Sequence, residues 1–312
     1  MITAVTFALV CAFGAVLYGV FAVYALAQGV PVAAVVAGAV VAYLAIPFIA
    51  VVQWFALAWV CRSPRPPDKR IGVAAAIRLF AVELWSVAGS PIRMGFLWWG
   101  MRDPVPAPAA APVLLLHGVG CNAGVWLRVL AYLRARGIGP LYTLSCVPPL
   151  ASIEVFAPQL AAKVDAILAA TGAARVVLVC HSMGGLVARA YLRRFGAEKV
   201  RTVITIGTPH RGSVHAWVFP GTCLAEMRPG SEWLEVLNRE GLPRGVRCVA
   251  LWSWHDSMVT PQLSARWDGA KSVEYVGVGH NALLGDAGVL ASVAALLEQE
   301  QADAAAETPP GR

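Results

Sequence analysis

VLVCHSMGGLVARAY, residues 177–191, passes from a continuous apolar run into His181-Ser182-Met183, then into the pair Gly184-Gly185 and a helix-compatible stretch. A short apolar run with β-branched residues reads as a buried strand, and the segment after the glycines reads as a helix. Ser182 then stands on a sharp turn between the two. A strand, turn and helix in that order lift a serine hydroxyl above the carboxyl edge of a sheet. The small residues at 184 and 185 let the helix start close to the strand it leaves.

Working outward, short apolar runs alternate with longer helical patterns from Val113 onward. The spacing predicts strands at 113–116, 140–144, 175–180, 200–206, 246–252 and 272–276, and helices near 124–136, 155–171, 183–195 and 285–300. Strands alternating with helices give an α/β domain with a mostly parallel central sheet covered on both faces. Its expected limits are residues 112–300, which suits one domain with a sizeable core.

Upstream the chain changes character. Of the 312 residues, 58% are hydrophobic and 14% charged, too apolar for an ordinary soluble domain, and no Asp, Glu, Lys or Arg precedes Arg62. Two apolar runs separated by Gly29-Val30-Pro31 each exceed the roughly 20 residues that cross a bilayer core. A cleavable leader would carry a basic amino-terminal region, which Met1-Ile2-Thr3 lacks, so residues 1–70 read as a retained two-helix membrane hairpin with a basic flank. That flank, Cys61 to Arg70, holds four cations against one anion and places the chain beyond residue 70 on the cytoplasmic side. The seven cysteines, without paired spacing, point to a reducing compartment. Localisation in a bacterial inner membrane, with the catalytic domain in the cytoplasm, is the resulting expectation.

Residues 71–111 read as an intermediate segment. IGVAAAIRLFAVELWSVAGSPIRMGFLWWG, residues 71–100, mixes apolar residues with Arg78, Glu83 and Arg93, which argues against a third span. It suits either a helix lying in the interface, with Trp85, Trp98 and Trp99 at headgroup depth, or a helix covering the catalytic domain. The Pro/Ala-rich run from Asp103 to Pro112 reads as an extended linker.

CHSMGG resembles the GxSxG nucleophile elbow of the α/β-hydrolase superfamily, in its bacterial lipase and esterase branch, with Cys180 where the first glycine usually lies. The resemblance covers roughly residues 112–300 and implies an α/β-hydrolase fold, Ser182 as nucleophile, and an acid and a histidine coming after it in that order. LWSWHDSMVTP and YVGVGHNALL each follow a predicted strand, and by the resemblance they supply Asp256 as the acid and His280 as the base. His117, His181, His210, His215 and His255 default to packing or surface roles, and Asp268 and Asp286 are rival acids in less suitable places. Cys180 is a rival nucleophile, but it ends a buried strand.

The oxyanion of acyl transfer needs backbone N–H donors fixed in advance. One is expected from Met183; by the resemblance of LLLHGVG to the lipase HG loop, the other comes from Val119, after His117-Gly118. ITIGTPHRGS resembles the GTPHxGS stretch of many lipases and of inositol-deacylase-like proteins, so Gly207, Thr208 and Pro209 are expected to shape the pocket together with Gly184. Residues 214–244 break the strand–helix rhythm and read as a cap or lid, with a pair of packing helices as the alternative. The polar, Ala-rich tail 301–312 reads as disordered.

Net charge +7 fits anionic headgroups; no nucleic-acid recognition motif, phosphate loop or metal-ligand spacing is visible, so neither nucleic acid, metal nor cofactor is expected. The expected reaction is hydrolysis of lipid-like carboxylic esters through an acyl-enzyme. Thioester or small-ester cleavage on the same fold is the near alternative, and a catalytically silent membrane scaffold the far one.

Overall fold

The computed structural model describes residues 2–307. Six strands form one sheet: β1 (Val113–Leu116), β2 (Leu141–Leu144), β3 (Val176–His181), β4 (Val200–Ile206), β5 (Arg247–Ser253) and β6 (Lys271–Tyr275). Their order is β2-β1-β3-β4-β5-β6, and every pairing is parallel. The strands alternate their side chains between two cores, as the period-2 pleat requires. Leu114, Leu116, Leu178 and Cys180 face one, while Val113, Leu115, Val177 and Val179 face the other. This double burial is why β1 and β3 read as unbroken apolar runs, whereas β6, at the sheet edge, is largely exposed.

The amino-terminal hairpin consists of α1 (Ile2–Ala27) and α2 (Val32–Val60), turned by Gly29 at φ 80°. It leads to α3 (Val73–Ala88) and the short α4 (Ser90–Gly95). Around the sheet lie α5 (Leu127–Arg134), α6 (Ile153–Thr171) and α7 (Met183–Phe195). Two short helices, α8 (Thr222–Glu226) and α9 (Glu232–Arg239), precede β5, and α10 (Ala287–Glu307) closes the chain. The helices α6 and α7 pack on the first core through Phe156, Leu160, Leu186 and Val187, whereas α5 and α10 pack on the second through Leu130, Leu133, Val293 and Leu297. Ser152 caps α6 by accepting from the N–H of Glu154, and Gly172 at φ 69° ends it. The fold is thus the expected α/β-hydrolase arrangement, with strand limits within a residue of those read from the sequence.

One expectation is overturned. Residues 301–307 continue α10 instead of fraying: Ala304 is buried, Glu300 is 3% exposed, and Glu307 pairs with Arg201. The remaining residues of that tail, 308–312, lie outside the described residues.

Three helical stretches, Ala8–Ala27, Val32–Val60 and Val73–Gly95, are long and apolar enough to cross a membrane. The first two carry most of the large exposed apolar side chains, among them Phe13, Val20, Ile46 and Val60. The third has two unlike faces. Leu79, Glu83 and Ser86, spaced three and four residues apart, are buried, while Val73, Ile77 and Trp85 are exposed. The two readings of this segment are the two faces of one helix: α3 packs on the catalytic domain inwardly and presents an apolar surface outwardly. Phe80 meets Phe48 and Phe55 of α2 at ring-centroid distances of 5.6 and 6.0 Å, which ties the hairpin to it.

Candidate active site

The strand order reverses between β1 and β3, so the loops leaving their carboxyl ends diverge and open a crevice there. Ser182 stands at that point, directly after β3. Its backbone is at φ 54° and ψ −126°, left-handed in φ and costly for a side-chain-bearing residue, as a nucleophile elbow requires. The turn is held by the Ser182 N–H, which donates to Ile206 O at 2.9 Å, and by Thr208 Oγ1, which donates to Ser182 O at 2.8 Å. The glycines are obligatory: a Cβ on Gly184 would lie 2.5 Å from Leu116 O, and one on Gly185 would lie 2.2 Å from Thr208 Oγ1. Cys180 faces the core at 0% exposure, and burial pushes its thiol far up, which leaves it protonated and inert.

Asp256 and His280 come from the loops after β5 and β6. His280 Nδ1 lies 2.9 Å from Asp256 Oδ2, and both residues are at most 3% exposed. The other oxygen, Oδ1, accepts from the N–H groups of Met258 and Val259 at 2.8 and 2.7 Å, so the carboxylate is fully oriented. The rival acids are used elsewhere: Asp268 pairs with Arg211, and Asp286 accepts from the N–H groups of Gly288 and Val289 at the start of α10. Gly207 makes room for the acid–base pair. A Cβ there would sit 3.2 Å from Asp256 Oδ2 and 3.3 Å from His280 Nδ1.

The six histidines separate by environment. Burial holds His117 and His255 down to about 4, and holds His181, His210 and His215 below the ordinary imidazole value. Burial also disfavours charge on His280, but the charge and hydrogen bond of Asp256, with the charge of Glu83, outweigh it and raise its pKa. His280 is therefore the one poised to hold a proton during a reaction.

His117 has a structural part. Its Nε2 accepts from Cys146 N–H at 3.1 Å, so its Nδ1 carries the proton and donates to Gly118 O at 2.8 Å. This fixes the turn after β1 beside Ser182, where a Cβ on Gly118 would be 3.3 Å from Ser182 Oγ. Val119 comes next on that turn, and Met183 opens α7 next to Ser182. Pro209 O accepts from Gly212 N–H at 2.9 Å and turns the wall segment, while His210 stacks on Trp267 at 4.8 Å, away from the acid–base pair.

Between residues 214 and 244, α8 and α9 bury Leu224, Met227, Leu234 and Leu237 in the first core, as the packing-helix alternative expects. Among the described residues of this segment, the large apolar side chains that are exposed are Trp217, Val218 and Phe219, before these helices, and Val236 on α9. Among the described residues, no group of three or more His, Cys, Asp or Glu is placed to hold a metal.

Sequence reasoning missed three contributions. His181 donates from Nε2 to His280 O at 3.3 Å, with its ring 4.7 Å from that of His280. Gln262 Nε2 donates to Asp256 O at 3.1 Å while its Oε1 accepts from Ser63 N–H, just after the hairpin. Glu83 of α3 reaches the loop that carries His280. A lone carboxylate in an apolar helix was the visible signal for the last.

The fold that carries these residues is that of an α/β hydrolase, and the comparisons agree on the fold. The family described as a PGAP1-like alpha/beta domain matches residues 160–219. A triacylglycerol lipase of Burkholderia plantarii is 53% identical over 156 residues, which cover 47% of this chain and 43% of that one. A second, from Pseudarthrobacter phenanthrenivorans, is 53% identical over 58 residues, 19% of this chain and 18% of its own. The chain thus spans less than half the length of these curated relatives. Among solved structures, the mature form of the Bacillus licheniformis lipase BlEst2 superposes with a TM-score of 0.55 at 20% identity, over 62% of this chain and 96% of that one. The chain has the α/β-hydrolase fold, and its sequence is similar to triacylglycerol lipases.

Proposed function

We propose that this protein is a membrane-anchored serine hydrolase that cleaves carboxylic esters with lipid-like acyl chains. The observation that carries the reading is the buried 2.9 Å contact between His280 Nδ1 and Asp256 Oδ2, on the loops beside a serine held at positive φ. In this reading His280 Nε2 takes the proton of Ser182, whose oxygen attacks the ester carbonyl, and Asp256 keeps the imidazole in its tautomer and stabilises its cation. The N–H groups of Met183 and Val119 hold the oxyanion, each supplying a factor of roughly 10² to 10³ in comparable sites. The alcohol leaves with the proton from His280; water, deprotonated by His280, then releases the acid.

The lipid preference is supported by the similarity to triacylglycerol lipases and by the two helices of membrane-spanning length, α1 and α2, joined to the domain. A hydrolase held at a bilayer meets acyl chains at high local concentration. Exposed Trp217, Val218 and Phe219 suit a cap edge that touches such a surface. The cations between Arg62 and Arg70 support a cytoplasmic catalytic domain at a bacterial inner membrane. The test is hydrolysis of p-nitrophenyl esters from acetate to palmitate, with Ser182→Ala as blank. Rising kcat/KM with chain length is expected; a preference for acetate would remove the lipid assignment and favour small esters.

A further inference from the structure

Glu83 lies outside the hydrolase domain, on the first long helix after the hairpin, and is 0% exposed. Four donors converge on its carboxylate. Ser257 Oγ, Asn281 N–H and Asn281 Nδ2 donate to Oε1 at 2.7, 3.0 and 2.9 Å, and Ala282 N–H donates to Oε2 at 2.9 Å. An acceptor-only carboxylate suits such a donor set, and a neutral amide would set donor against donor. These partners bracket both catalytic loops: Ser257 is next to Asp256, and Asn281 and Ala282 come directly after His280. Ser257 Oγ also accepts from His280 N–H at 3.3 Å. Gly279, just before the histidine, is shaped to receive this group, since a Cβ there would lie 2.4 Å from Glu83 Oε2.

We propose that Glu83 is a positioning residue for His280, so that the segment joining hairpin to domain holds the base in register with Asp256 and Ser182. The inference rests on His280 being the base. Removing the carboxylate leaves buried N–H groups unpaired and frees the 279–282 loop to shift, and a displacement of about 1 Å in a catalytic group can cost on the order of 100-fold in rate.

The charge matters as well as the geometry. The groups facing His280 are Asp256, Glu83, His181 at 4.7 Å and His215, and burial lowers the pKa of both of those histidines and keeps them neutral. Of the two anions, Glu83 adds to the raised pKa of His280. Since His280 must be neutral to take a proton, kcat/KM falls as pH drops through that pKa. Loss of the Glu83 charge moves this acidic limb to lower pH.

The experiment compares full-length, detergent-solubilised wild type, Glu83→Gln and Ser182→Ala on one p-nitrophenyl ester, with rates normalised to the serines labelled by a fluorophosphonate. Glu83→Gln is expected to lower kcat per labelled site by roughly 10- to 100-fold with little change in KM. Its acidic limb is expected at lower pH than that of wild type. A merely structural Glu83 would reduce the number of labelled sites and leave kcat per site and the limb where they were, and that result overturns the inference. Should Glu83→Gln not accumulate folded, Ser257→Ala, which removes one bridging hydroxyl, decides: a lower kcat per site supports the inference and an unchanged one overturns it. Activity surviving in Ser182→Ala would instead sink the proposed mechanism itself.

Discussion

Gly207 shows how narrowly the site is built at the scale of single residues. It stands just after β4 at φ 57°, and a methyl group there would meet Leu283 Cδ1 at 2.9 Å as well as the acid and base. Gly207→Ala therefore adds backbone strain of about 1 kcal/mol and pushes His280 from Asp256. The expected outcome is a fall in kcat of roughly 10- to 100-fold, with a far smaller change in thermal stability, measured by ester hydrolysis and calorimetry on one preparation. The candidate triad Ser182, Asp256 and His280 could be picked out in the sequence because each follows a strand end and the resemblance to lipases sets the order of acid and histidine. Glu83 was not, since its partner Asn281 lies 198 positions away and no local pattern links them.

At the scale of elements, the inner strands were legible to within a residue because runs buried on both faces carry a strong apolar signal, whereas β6 (Lys271–Tyr275) is a largely exposed edge strand. The end of α10 was not. Its sequence from Gln299 to Glu307 is polar and Ala-rich, and nothing local says that it packs. Its order comes from tertiary partners: the Glu300 carboxylate accepts from Arg201 Nε at 2.9 Å and from Arg247 Nη1 at 3.0 Å, and Glu307 pairs with Arg201 and Arg175. Glu300 is nearly fully buried while its partners are partly solvated, so its loss lies between the surface and buried limits for ion pairs. Glu300→Gln is expected to cost about 2 kcal/mol in urea denaturation without changing kcat; a neutral effect would mean that α10 is held by its apolar face alone. The segment 214–244 divides in the same way: α8 and α9 pack on the first core, while Trp217 to Phe219 before them are exposed.

For the molecule as a whole, the sequence suggests a membrane hairpin, a linker and a separate hydrolase domain, but contacts cross that division at three of the site's loops. Ser63 and Gln262 brace the acid loop, and Glu83 braces the histidine loop. Asn122 Nδ2, on the loop after β1, donates to Met94 O at 2.8 Å at the end of α4. On the proposed reading α3, which turns an apolar face outward, thus also braces the loop of the candidate base through its inner face. Composition reveals the first role, because apolarity is visible in sequence; the second depends on which polar side chain meets which loop, and only the folded chain displays it. The mechanism stands on an activated Ser182, and fluorophosphonate labelling of the full-length protein tests this most directly. Wild type is expected to label rapidly, Ser182→Ala not at all, and His280→Ala and Asp256→Ala far more slowly. Undiminished labelling of Ser182→Ala, or no labelling of folded wild type, would contradict it.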